Sequence, residues 1–301
     1  MSRPLVSIVL PVFNRLGYVR VALASVYAQT FENWELIIID DGSDEETRQF
    51  LEKQADSRTK VLFREHSGVP AVVRNVGIAR ACGKYVAFLD SDDVWAADKL
   101  QVQLTLMETA PTRQWSYTAV RKIDADGRVL DDAQFEPWAG YSGSVVEELL
   151  RFEASVAMPT VIAELALVRD VGGFDETMKF AEDYDLWLRL AMRSEVSVTS
   201  KPLADVRSHP QRFSADSIGG LEGWQRLFEK MQELMPIPDL RRLCRRRAGE
   251  QALLLAAHHA RASRWTSMQR SLLTAARARV WSLPGWLRVG KAAVSSRRRD
   301  R

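Results

Sequence analysis

The stretch "RNVGIARACGKYVAFLDSDD" (74–93) holds a helical segment, a turn, an apolar run and three carboxylates. Its first half continues a helical pattern over 71–83, with Gly83 as the expected C-cap. "YVAFL" (85–89) is continuously apolar rather than alternating, as a strand buried on both faces requires. Asp90, Asp92 and Asp93 crowd at the end of that strand. Like charges packed together repel and raise one another's pKa, so stability gives no reason for the arrangement. The cluster is either a solvated turn or a seat for something positive. The small Ser91 lets the flanking side chains converge, and hard divalent cations such as Mg²⁺ or Mn²⁺ take carboxylate oxygens while keeping positions open for phosphates.

The same logic extends outward. "VSIVLPVF" (6–13) and "WELIIID" (34–40) read as further buried strands and "KVLFRE" (60–65) as a third strand, with helical spacing over 17–29 and 45–55. Strand–helix alternation with short connections predicts an α/β fold built on a doubly wound, mainly parallel sheet. Ligands of such sheets sit outside the carboxyl ends of the strands. "PVFN" (11–14), "DDGS" (40–43) and "DSDD" (90–93) fall there, at the ends of the first, second and fourth strands. The three clusters are expected to meet in one crevice. From about residue 96 the pattern loosens: a helix over 98–108, a β-rich stretch over 115–135 with a turn at "DADG" (124–127), a loop and amphipathic helix over 172–194, and an extended stretch over 197–210. Beyond about 216 the chain reads as helical. There is no internal repeat.

Hydrophobic residues at 46% and charged residues at 27% describe a globular chain with enough apolar mass for a core. Cys82 and Cys244 lack metal-ligand spacing, which points to a reduced compartment without a disulfide framework or zinc site. The opening "MSRPLVSIVLPVFNR" reads as a first core strand rather than a signal peptide, because Pro11 interrupts it and no small-residue cleavage pattern follows. No apolar run approaches the ~18–20 residues of a transmembrane helix, so the expected location is cytoplasmic. The charge is uneven. Residues 1–240 hold 26 Lys+Arg against 37 Asp+Glu, while residues 241–301 hold 16 against only Glu250 and Asp300. Three readings fit the basic region: helices packed on the body with solvated arginines, attachment to an anionic membrane surface on the inner face of the cell membrane with Trp and Leu at the interface, and nucleic-acid binding. The last has only charge in its favour, and an acidic body is a poor neighbour for a polyanion; no nucleic-acid partner is expected.

Five motifs, "PVFN", "DDGS", "RNVGIARACGKYVAFLDSDD", "GGFDE" (172–176) and "EDYDLWLRL" (182–190), in that order and at these separations, resemble the family 2 glycosyltransferases with the GT-A fold. The resemblance covers residues 4–215. It implies a catalytic domain over 1–215, followed by a basic helical region over 216–301. It also implies inverting transfer of a sugar from a nucleoside-diphosphate sugar, UDP-sugar by default, to the hydroxyl of a glycan or lipid-linked acceptor in cell-surface polysaccharide or glycolipid assembly. One transfer per encounter is expected, since no Q-x-x-R-W motif and no membrane channel accompany the domain.

Roles follow from the resemblance. Pro11, Phe13 and Asn14 would line the nucleotide pocket, with Phe13 against the base. Asp41 or Asp40 would accept a hydrogen bond from the base edge; "DDGS" also reads as a helix start capped by Ser43 or Asp44. Arg74 would lie near base and diphosphate, or else is a solvent-facing helix charge, and His66 would touch the nucleotide side. Asp92 and Asp93 would hold a divalent metal, Mn²⁺ or Mg²⁺, and the sugar nucleotide, with Asp90 supporting and His209 of "RSHP" (207–210) joining the metal. Asp183 is the expected catalytic base, Glu182 the second choice; the plain reading of Glu182, Asp183 and Asp185 is a helix N-terminus favouring acids. The base takes a proton from the acceptor hydroxyl as it attacks the anomeric carbon, and the metal stabilises charge on the departing diphosphate. Gly172 and Gly173 would permit a tight turn, and Met158, Pro159 and Thr160 would border the acceptor. Two alternatives remain. "DSDDV" (90–94) fits the strand-end motif of haloacid-dehalogenase-like phosphatases but leaves the other motifs unexplained. An inactive nucleotide-sugar-binding protein is the other, and the presence of both carboxylate clusters argues against it.

Overall fold

The computed structural model describes residues 3–130, 140–209, 217–280 and 286–289. The chain divides into two compact units, one formed by Met1–Thr177 and Asp183–Pro210, the other by Met178–Glu182 and Gln211–Arg301.

In the first unit, β1 (Val6–Val12), α1 (Leu16–Tyr27), β2 (Trp34–Asp40), α2 (Glu45–Glu52), β3 (Thr59–Phe63), α3 (Pro70–Arg80) and β4 (Tyr85–Phe88) alternate as the sequence predicts. They are followed by β5 (Val94–Trp95), α4 (Lys99–Glu108), β6 (Trp115–Ile123), α5 (Val146–Arg151), β7 (Ile162–Glu164), α6 (Leu165–Asp170), α7 (Glu182–Ala191) and β8 (Val196–Arg207). One mixed sheet of 8 strands results, in the order β3-β2-β1-β4-β7-β6-β8-β5. The β1–β4 part is parallel, as is β6 with β8, while β7 runs antiparallel to β4 and β6, and β5 to β8.

β1 and β2 are apolar over Ile8–Leu10 and Leu36–Ile39 because helices cover both faces. Ile8, Leu10, Leu36 and Ile38 join Val19, Leu23, Leu100 and Leu104 from α1 and α4 in one buried cluster. On the opposite face α3 approaches so closely that a Cβ on Gly77 would lie 2.5 Å from Val9 Cγ1 and 3.0 Å from Ile39 Cδ1. Val9 is stiff at χ1 and fully buried, so Gly77→Ala should cost about 1–2 kcal/mol net of its gain in helix propensity. Chemical denaturation of the two proteins measures this; equal midpoints would show that the helix moves away freely.

Two expectations change. The helix over 71–83 ends at Arg80, and Ala81, in an extended conformation, is its C-cap. Gly83 instead serves close packing: a Cβ there would lie 2.7 Å from the Ser7 backbone nitrogen. The β-rich stretch over 115–135 is β6 plus a turn, closed by Asp124 C=O accepting from Gly127 N–H (3.1 Å), with Ile123 bridging Val129; its last residues lie outside those described.

The second unit contains α8 (Ser217–Leu234), α9 (Pro238–Arg261) and α10 (Trp265–Arg277). Ala252, Ala256, Ala257, Ala275 and Val280 form its small-residue core. The helical expectation holds for the described part; Trp281 and the terminal "SSRRRDR" (295–301) lie outside it. No helix among the described residues is long and apolar enough to cross a membrane.

Candidate active site

The ends of β1, β2 and β4 meet as the sequence predicts. Asn14 and Arg15 both adopt left-handed backbone (φ 55° and 59°), which turns the chain sharply out of β1. The Asn14 N–H donates to Ser43 Oγ (2.7 Å), and its side-chain oxygen accepts from the Asp44 N–H (2.7 Å). Asp44, not Ser43, caps α2 by accepting from Thr47 N–H (2.9 Å). Asn14 therefore clamps the two strand ends together.

The neighbouring aspartates divide their work. Asp40 is fully buried and accepts from the Ser43 N–H at 3.2 and 3.3 Å, holding the turn. Asp41 accepts from Ser67 N–H and Oγ–H, from Gly68 N–H and from Arg64 (3.0 Å), so it orders the loop after β3. In that loop His66 stacks on Phe13, with ring centroids 4.0 Å apart. Phe13 stays 40% exposed at the end of β1, with the half-buried Pro11 two residues before it. An open aromatic pair beside a hydrogen-bonding loop can receive a flat heterocycle.

The acidic turn splits three ways. Asp90 Oδ1 accepts from Arg74 at 2.7 Å, and Arg74 is buried, its guanidinium 5.5 Å from the Phe174 ring centre; the solvent-facing reading of Arg74 is thereby excluded. Asp92 Oδ2 lies 2.9 Å from His209 Nε2 and 3.3 Å from Arg15. Asp93 is buried, and its Oδ1 accepts the Arg207 N–H at 2.9 Å, tying the turn to β8. Arg207 completes the tie by donating to the Asp92 carbonyl (2.8 Å) and lying over the Tyr18 ring, which also meets His209.

Asp92 and His209 are the side chains that could hold a divalent cation, which would displace the Arg15 guanidinium from Asp92 Oδ2. A carboxylate oxygen and an imidazole nitrogen are held together, and a guanidinium already bonds that same oxygen. Among the described residues no group of three or more His, Cys, Asp and Glu side chains gathers as a metal cage. The protein would thus supply two ligands and leave the others to water or phosphate oxygens, as such ions prefer.

Of the second carboxylate cluster, Asp183 lies within electrostatic reach of Asp90 and Arg74. Asp183 is half-buried at the start of α7, and its Oδ1 accepts from the Tyr184 N–H (2.8 Å). Burial pushes its carboxyl above the ordinary aspartate range, and the nearby Asp90 pushes the same way, against the pull of the Tyr184 N–H and Arg74. Asp185 turns inward, fully buried, to bond Arg189 (2.9 Å). Glu182 is buried at the first residue of α7, and Ala181 enters that helix in left-handed backbone (φ 59°).

The residue that sequence reasoning missed is Asn75. Its side-chain oxygen accepts from the Phe174 N–H (2.9 Å), and its amide donates to the Phe174 carbonyl (2.8 Å) and Glu176 (2.9 Å). Gly172 and Gly173 have φ of 91° and 66°, and a Cβ on Gly173 would lie 2.8 Å from the Asn75 oxygen. Phe174 then packs edge-on to Phe88 (5.3 Å) and Trp187 (6.4 Å). Aromatic contacts thus fix α7, which carries Asp183, relative to β4, which leads into the turn holding Asp90. Met158, Pro159 and Thr160 are buried, and their carbonyls accept from Trp95 (to Pro159, 2.8 Å) and Gln103 (to Thr160, 2.9 Å).

The comparisons give the class to which this mixed sheet belongs. The family model described as glycosyl transferase family 2 matches residues 7–151. The glucosyltransferase WfgD of Escherichia coli is 30% identical over 199 residues, covering 65% of this chain and 74% of WfgD. The chain belongs to the family 2 glycosyltransferases. An uncharacterized glycosyltransferase of Rickettsia bellii is 36% identical over 203 residues, which is 67% of this chain but 28% of that protein, so the chain spans about a third or less of the Rickettsia relative. The mannosyltransferase PcManGT of Pyrobaculum calidifontis, solved with GDP-Man and Mn²⁺, shares the fold with a TM-score of 0.62 at 18% identity, over 98% of this chain and 81% of that one.

Proposed function

We propose that this protein transfers a sugar, with inversion, from a nucleoside-diphosphate sugar to an acceptor hydroxyl, with Asp183 as the base. The carrying observation is the placement of Asp183: a half-buried carboxyl with a raised pKa, within electrostatic reach of Arg74 and Asp90 on the opposite cluster. A carboxyl poised above its usual range is a better proton acceptor from a hydroxyl than an exposed one. Arg74, buried and held by Asp90, would meet the diphosphate. The exposed ring of Phe13, backed by His66, would receive the base, and the ordered loop around Asp41 would meet its edge.

Asp92 and His209 would hold a divalent cation, which supplies charge stabilisation to the departing diphosphate. WfgD is named for a UDP-glucose donor and a diphosphoundecaprenol acceptor, and PcManGT was solved with GDP-Man and Mn²⁺; UDP-sugar is the first donor to try, and a lipid-linked glycan the first acceptor.

Thermal unfolding with UDP-, dTDP- and GDP-sugars, each with and without Mn²⁺, tests the reading. A donor at a hundredfold excess over its Kd should stabilise the wild type by about 2.7 kcal/mol. That shift should require Mn²⁺ and vanish in Asp92→Asn. No shift with any donor, or an undiminished one in the mutant, would remove the acidic turn from the site.

A further inference from the structure

α10 is two-sided. Ser271 and Ala275 are buried on its inner side, and Met268 and Leu272 pack against the small-residue core of α9. Its outer side carries Thr266, Arg270, Leu273 and Arg277, at the i, i+4, i+7, i+11 spacing of one helix face, and all four are exposed. Leu273 is 59% exposed, and the short helical piece beyond α10 exposes Leu287 (53%) beside Arg288.

Among the described residues, α10 has no acid and α9 has none left to neutralise this face. The acids of α9 are Asp239 and Glu250, and both already hold arginines of their own helix: Asp239 pairs with Arg242, and Glu250 with Arg246 (2.9 Å) and Arg247 (3.1 Å). From residue 251 to residue 299 the chain contains no acid at all. Arg261, Arg264, Arg270, Arg277, Arg279 and Arg288 are exposed and have no carboxylate partner among the described residues.

We propose that this face of the second unit docks on an anionic phospholipid bilayer, with Arg270 and Arg277 among the headgroup phosphates and Leu273 at the acyl boundary. Charge complementarity selects a polyanion, and the leucines select which one. An exposed leucine between two arginines gains nothing against a sugar–phosphate backbone, whereas at a bilayer it leaves water. The attraction is short-ranged and screened by salt. The purpose of this surface rests on the transfer reading above, since a lipid-linked acceptor is met only at a membrane; its physics stands on the second unit alone.

Vesicle flotation of the full chain tests it. The wild type should float with mixed phosphatidylglycerol–phosphatidylcholine vesicles at low salt, not with phosphatidylcholine alone, and high salt should release it. Arg270→Glu/Arg277→Glu should lower the partition coefficient about tenfold or more, and Leu273→Ser by a smaller factor. Lys53→Glu/Arg193→Glu makes the same charge change at exposed positions of the first unit and should float like the wild type. Matching thermal unfolding establishes that the variants are folded.

The proposal is overturned if the wild type ignores anionic vesicles, or if the α10 variant floats undiminished. An equal fall in the control pair also overturns it, since net charge would then explain binding. Displacement from vesicles by duplex DNA at the same salt overturns it in favour of nucleic acid. Donor-induced thermal shifts on the same samples separate the two claims: vesicle binding without a donor shift removes the transfer reading and leaves the surface, and the reverse removes only the surface.

Discussion

Asp183→Asn should lower turnover by about 10²–10⁴-fold, the usual worth of a positioned general base, while leaving the donor-induced thermal shift intact. The same substitution should raise thermal stability at neutral pH. The sign follows from the direction of its pKa, which burial raises in the folded protein. At low pH both folded and unfolded chains carry the proton and the group has no effect. As pH rises past the ordinary aspartate range the unfolded chain ionises first, so stability falls until pH passes the raised folded value. Above that the wild type bears the full cost and an asparagine bears none. Activity and stability should therefore move in opposite directions, as expected of a residue kept for chemistry. Measured as kcat and melting temperature, a mutant both slower and less stable would mark Asp183 as a structural carboxylate. The wild-type rate should also rise through an acid limb displaced upward from that of an exposed carboxylate.

Arg74→Ala should have the second largest effect. It removes the partner of Asp90 and the one positive charge that pulls the Asp183 pKa down. Breaking a fully buried ion pair costs about 3–5 kcal/mol, but the Asp90 side chain is 28% exposed, so about 2–3 kcal/mol is expected here. The acid limb of the rate profile should move to still higher pH, because Asp183 loses its nearby positive charge and keeps its negative neighbour. Arg74→Lys retains that charge and should keep the limb near its wild-type position while losing the fork geometry toward Asp90. Urea denaturation and a pH–rate series measure both effects. An unmoved limb in Arg74→Ala would mean that the guanidinium does not act on the base.

Much of this was legible in the residues. β1, β2 and β4 are long apolar runs ending in polar clusters, and buried parallel strands leave that signature. β5 and β7 were not foreseen: two and three residues are too few to show any period. Nor could "DSDD" reveal its own division of labour. Sequence places three aspartates in one turn, but only the backbone decides that Asp93 looks to Arg207 while Asp92 looks to His209. Asn75 was hidden for a related reason. An asparagine within a helix resembles a surface residue until the loop a hundred positions later folds back on it.

The sheet order has a consequence for synthesis. β4 sits at the middle of the sheet, yet its outer neighbour is β7, Ile162–Glu164, which the ribosome reaches long after Tyr85–Phe88 has emerged. At translation rates of about 5–20 residues per second, the open edge of an entirely buried apolar strand waits for several seconds. During that interval the nascent chain presents a sticky ladder of unpaired amides and carbonyls. A chaperone that shields this edge, or slow codons placed after rather than before residue 164, would decide how much of the protein reaches its native form.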